Sequence, residues 1–174
     1  MATIDLIVLG MLKKQSMSAY ELQKQVDYRN ISRWVKISTP SIYKKVLQLE
    51  EKGYIKGQLM RTGKMPEKMV YSLTAAGDRE FERLMLELAC QPVSMFLDFN
   101  AVIVNLDGLS AEKQSFCLAA IDDNIKTLKG FLQENLWLKE ELPEIPPLGL
   151  AVLRQQLALA EALEKWLADL ISRK

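Results

Sequence analysis

Ile37-Ser-Thr-Pro-Ser-Ile-Tyr-Lys-Lys-Val-Leu-Gln-Leu-Glu-Glu-Lys-Gly-Tyr-Ile55 is the stretch whose reading decides the fold. Thr39 is a good helix N-cap, and Pro40 suits the first helical position, where a missing N–H costs no bond. Ile42, Val46 and Leu49, with Leu47 alongside, supply an apolar face at helical spacing. Ser41, Lys44, Lys45, Gln48 and Lys52 recur at i, i+3, i+4, i+7 and i+11, which makes one polar face with three lysines. Tyr43 either reaches outward with its phenol or packs under the helix. Gly53 then ends the helix as a left-handed cap. A short helix with a basic outer face fits the major groove of duplex DNA. A merely solvated lysine face would look the same, so the flanking segments must decide.

Upstream, Ile4, Ile7, Val8, Met11 and Leu12 give residues 4–14 an amphipathic helical pattern. Lys13 to Met17 break it. Ser18-Ala-Tyr-Glu21 has capping-box spacing and opens a shorter helix that buries Leu22 and Val26. Downstream, Tyr54–Met60 and Met69–Leu73 read as strands joined by a tip with a Gly, a Pro and basic residues. Thr74 caps the next helix. Three short helices followed by a hairpin make a winged helix-turn-helix, with Arg61, Lys64 and Lys68 of the wing placed to reach phosphates.

The charge distribution agrees. Net charge is only +1, yet residues 1–74 hold 13 Lys/Arg against 6 Asp/Glu, and residues 75–174 hold 10 against 16. A basic first half joined to an acidic second half points to a polyanionic partner for the first half alone.

These residues resemble the PadR family of bacterial transcriptional regulators. Ile7–Leu12 followed by Met17–Leu22 is similar to the opening two helices of that family. Ser38–Tyr43 with Leu47–Ile55 resembles its recognition helix and exit, and Val70–Gly77 its second wing strand running into helix four. Ala19 and Pro40 stand where glycines are common, and Gln48 where a basic residue is frequent. The resemblance implies a dimer held by C-terminal helices, and a repressor released by small aromatic or hydrophobic compounds. The expected DNA-facing set is Tyr20, Ser38, Thr39, Ser41, Tyr43, Lys44, Lys45, Gln48, Arg61, Lys64 and Lys68.

In the second half, one helix runs to about Cys90 and ends at Gln91-Pro92. A richly apolar helical stretch is expected from Val93 to Leu106. Ser110 opens a long helix to about Glu141, and Pro143, Pro146 and Pro147 turn the chain back into a last helix from Leu148. Leu150, Leu153, Leu157, Ala160, Leu163, Leu167 and Leu170 form a coiled-coil-like stripe along it. At 1.5 Å per residue the helix spans roughly 35–40 Å, so the stripe is expected to be a dimer seam, with an intramolecular helical bundle as the alternative. Phe96, Phe99, Trp137 and Trp166 are core aromatics by default and a candidate effector pocket by the resemblance.

The fold class is therefore mainly α with a small β-hairpin: a winged-helix DNA-binding domain over 1–90 and a helical dimerisation and effector domain over 91–174. No apolar run reaches the ~20 residues of a membrane span, and the N-terminal residues lack a signal-peptide pattern, which together point to the cytoplasm. With no histidine, two unpatterned cysteines (Cys90 and Cys117) and no Gly-rich phosphate loop, an enzyme, a metal site and a cofactor all start at long odds. The expected partners are operator DNA, a second copy of the chain and a small apolar or aromatic effector. The competing reading is a winged-helix adaptor that binds protein.

Overall fold

The computed structural model describes residues 2–33, 35, 39–61, 67–143 and 145–173. They fall into two units, 1–94 and 95–174.

In the first unit, α1 (Ala2–Lys14) turns Val8, Leu9, Met11 and Leu12 into the core. The capping box at Ser18 forms: Ser18 N donates to Glu21 Oε2 at 2.8 Å and Glu21 N donates to Ser18 Oγ at 3.3 Å. It starts α2 (Ala19–Tyr28), which buries Leu22 and Val26. α3 (Thr39–Glu51) buries Ile42, Val46 and Leu49 against both. Gly53 follows at φ 73°, the left-handed cap expected of it.

β1 (Ile55–Met60) and β2 (Lys68–Leu73) pair antiparallel, with Ile55 opposite Leu73 and Met60 opposite Lys68. Met17 adds a one-residue third strand: its N–H donates to Tyr71 O at 3.1 Å and Tyr71 N–H returns to Met17 O at 2.9 Å. Sequence pattern could not show this, because a single paired residue has no period. Thr74 caps α4 (Ala75–Ala89) by accepting from Gly77 N at 3.0 Å, while its hydroxyl donates to Gly53 O at 2.7 Å. That one side chain joins the exit of α3 to the start of α4. Gly77 is required there, since a Cβ would lie 1.9 Å from Tyr54 O.

After α4 the chain departs from expectation. Residues 92–97 have no regular structure, and only α5 (Asn100–Ile103) and a 3-10 turn at Leu106–Gly108 replace the expected helix from 93 to 106. The apolar residues there share no single face, three of them are β-branched valines, and Asp98, Asn100 and Asn105 favour turns over helix interiors. Val93 and Phe96 are almost fully exposed.

α6 (Ala111–Lys139) and α7 (Pro147–Ser172) form an antiparallel hairpin. Arg154 pairs with Glu140 near the turn, Lys129 with Glu164 further along, and Leu118, Ile121 and Ile125 meet Leu163, Leu167 and Leu170 beyond. The leucine stripe of α7 is thus spent largely within the chain. Ala160 and Leu167 are buried, Leu163 and Leu170 pack on the same core, and Leu150, Leu153 and Leu157 are half-buried. At Ala160, Leu163, Leu167 and Leu170 the expected seam is corrected, because these residues are covered within the chain. Among the described residues no helix is long and apolar enough to cross a membrane.

Candidate nucleic-acid interface

α3 faces outward along Tyr43, Lys44, Leu47 and Glu51, all exposed. The face expected from polar spacing was Ser41, Lys44, Lys45, Gln48 and Lys52. Lys44 and Lys52 are exposed as expected, but within α3 the centre of the observed face is rotated by one residue, about 100° at 3.6 residues per turn. Lys45 marks the difference. It lies at i+3 from Ile42 and i−4 from Leu49, both core residues, and its side chain is only 9% exposed. Its Nζ sits 2.7 Å from Oδ1 of Asp5 on α1. The approach is off the line of a directed hydrogen bond, which leaves that oxygen with charge pairing alone.

Lys45 therefore does not belong to the outward basic face. Nor does Leu47 belong to the apolar one: it is 61% exposed, where Val46 and Leu49 beside it are buried. Tyr43 turns outward rather than packing under the helix, and Gln48 is half-buried at the edge. Ser38 lies outside the described residues, as do the side chains of Thr39 and Ser41.

On the wing, Arg61 is exposed just past β1, and Lys64 lies outside the described residues. Lys68, the first residue of β2, is engaged by Glu21: its Nζ donates to Oε1 at 2.7 Å. That bond, with those from the Ser18 amide and hydroxyl, holds the Glu21 carboxyl down at about 2. The same carboxylate thus completes the α2 capping box and ties the helix to the wing. Tyr20 is exposed on α2, and Lys24 places its ammonium 4.8 Å from the Tyr20 ring centroid. Lys24 was missed in the sequence; its i+4 spacing from an exposed tyrosine was the available signal.

The four aromatics of the second unit do not converge. Phe99 and Trp166 meet, with ring centroids 6.0 Å apart and planes at 30°. Phe96 is exposed in the irregular segment before α5, and Trp137 is exposed near the far end of α6. The ion pairs set residue 137 roughly level with residue 156 on α7, ten residues or ~15 Å from Trp166. A pocket made of all four is not what the chain builds.

Residues 8–83 match the sequence profile of the Transcriptional regulator PadR-like family, a span that takes in α2, α3, the wing and most of α1 and α4. Over residues 8–83 the chain is similar to the PadR-like family. Members of the PadR-like family are transcriptional regulators rather than enzymes. Among curated proteins none matches this sequence. Solved structures are similar along nearly the whole PadR-like chain. Bacillus subtilis PadR in complex with operator DNA is 20% identical with a TM-score of 0.83, covering 98% of each chain. The same protein in complex with p-coumaric acid is 20% identical with a TM-score of 0.81, covering 98% of this chain and 97% of the other. The Vibrio cholerae virulence activator AphA is 20% identical with a TM-score of 0.72, covering 98% and 96%. At such identity the likeness speaks for the fold, which thus extends through both units.

Proposed function

We propose that this PadR-like regulator binds duplex DNA through α3 and the wing, acting in the cytoplasm as a homodimeric repressor of an inverted-repeat operator. The observation that carries the reading is the outward face of α3, where Tyr43 and Lys44 stand exposed on a unit whose first 74 residues hold 13 basic against 6 acidic residues. Arg61, Lys64 and Lys68 supply phosphate contacts from the wing, and Tyr20 with Lys24 supplies them from α2. Lys68 must exchange Glu21 for phosphate to do so, which makes it the weaker contributor.

Dimerisation supports the inverted repeat, because a two-fold axis places two copies of α3 about one duplex turn, ~34 Å, apart. The candidate surface is the apolar area that the α6–α7 hairpin leaves exposed, Leu148, Leu159 and Ile171 among it. Leu150, Leu153 and Leu157 are half-buried at its side. Release by a small aromatic compound is proposed at the Phe99–Trp166 pair, with the p-coumaric acid complex of the Bacillus protein as the supporting likeness.

The test is a selection of duplexes from a random pool, followed by titration of affinity against salt. The selected site is expected to be an inverted repeat. Lys44→Ala should flatten the slope of log K against log salt by ~0.9 per lost contact and per protomer. A protein-binding adaptor would enrich no duplex, which overturns the reading.

A further inference from the structure

We propose that Leu47 reads the 5-methyl group of a thymine in the major groove, which makes it a specificity-determining residue of α3; the inference rests on the DNA-binding reading above. Leu47 is 61% exposed and sits on the middle of the outward face, one turn after Tyr43 and Lys44. Exposed leucines are common singly, and this one gains its meaning from its neighbours. Lys44 brings the phosphate backbone to this level of the helix.

Glu51, one turn further on, carries the opposite charge and repels that backbone. Glu50 is turned aside, its Oε1 accepting from Gly57 N at 2.8 Å. Glu51 offsets the exposed Lys52 beside it, so the unopposed positive charge of this face is Lys44 and the polyanion is centred on residues 43–47. Within that footprint Leu47 has no donor or acceptor. The base-edge feature it recognises is the apolar one, and in the major groove that is the thymine methyl. Burial of Ile42, Val46 and Leu49, with Lys45 turned in to Asp5 beside them, sets the rotation of α3 that points Leu47 outward.

The experiment uses the whole chain and the duplex it selects from a random pool. Each thymine of a half-site is replaced in turn by deoxyuridine, which removes the methyl group and nothing else, and affinity is measured at fixed salt by anisotropy. At one position the wild type should lose about fourfold per half-site, the worth of one buried methyl. Leu47→Ala should be indifferent at that position, with an unchanged thermal midpoint and salt slope. A selected duplex with no deoxyuridine-sensitive thymine overturns the assignment, as does a Leu47→Ala variant that keeps the sensitivity. A pool that yields no enriched sequence overturns the DNA-binding reading and Leu47 with it, whereas an enriched pool without the methyl effect removes Leu47 alone.

Discussion

α3 and α7 carry equally regular stripes in the sequence, and the fold uses the two differently. In α7 the stripe was drawn from leucines and its direction was right: Ala160 and Leu167 face inward as heptad spacing requires. α6 of the same chain covers Leu163, Leu167 and Leu170, while Leu150, Leu153 and Leu157 stay half-buried. In α3 the outward stripe was drawn from polar residues, and its direction was off by one residue. Apolar burial orients a helix; polar residues take whatever face remains, and one of them can be drawn inward by an opposite charge. A helix face is best read from what it hides.

The α7 half of this comparison breaks most forcefully at Leu167, fully buried among Leu106, Leu118, Ile121 and Ile125. Leu167→Ala should lower unfolding stability by about 4 kcal/mol, the range of a buried leucine that leaves a cavity. Denaturant unfolding at several protein concentrations checks it. If the packing is within one chain, the loss does not depend on concentration. A loss that shrinks as concentration rises would return the stripe to a seam between copies.

The α3 half is sharpened at Lys45. Lys45→Met leaves the Asp5 carboxylate, only 14% exposed, without its cation, and should cost about 3 kcal/mol. Stability should return in large part in Asp5→Asn, Lys45→Met, where no buried charge remains. The salt slope of DNA binding separates Lys45 from its neighbour: Lys44→Ala flattens it and Lys45→Met leaves it unchanged. Equal flattening by both would put Lys45 back on the outer face.

Asp5 shows why this part of the interface was hard to read. The extents of α1, α2 and α3, the Ser18 capping box, the Gly53 cap, the hairpin and Thr74 all follow from local chemistry, and local chemistry is written in neighbouring residues. The ion pair joins residues forty positions apart, which no local pattern displays. A trace was present nonetheless. Asp5 precedes Val8, Leu9 and Leu12 by three, four and seven residues, so it stands on the buried face of α1. An acid on an apolar stripe asks for a cation from another element. The aromatics of the second unit had no such trace, because residue type alone says nothing of which rings meet. Phe99 and Trp166 are brought together by the packing of the segment at α5 onto the core of the α6–α7 hairpin.

The smallest expected effect concerns Glu21 and Lys68, the exposed counterpart of the buried Asp5–Lys45 pair. Lys68, first among its partners, holds the Glu21 carboxyl at about 2 in the folded chain, against 4.5 for the free side chain. The folded state therefore binds this proton less readily than the unfolded one. Its stabilising contribution is complete above pH 4.5 and fades as pH falls from there towards 2. Both side chains are more than 40% exposed, so solvent screening reduces the contribution to about 1 kcal/mol or less. Lys68→Ala should accordingly flatten the acid limb of the stability curve between pH 4.5 and 2 and leave stability near pH 7 within about 1 kcal/mol of wild type. Lys45→Met, by contrast, should lower the curve by about 3 kcal/mol at pH 7. If Lys68→Ala matches that loss at pH 7, the wing pair is as consequential as the buried one, and burial is not what separates the two.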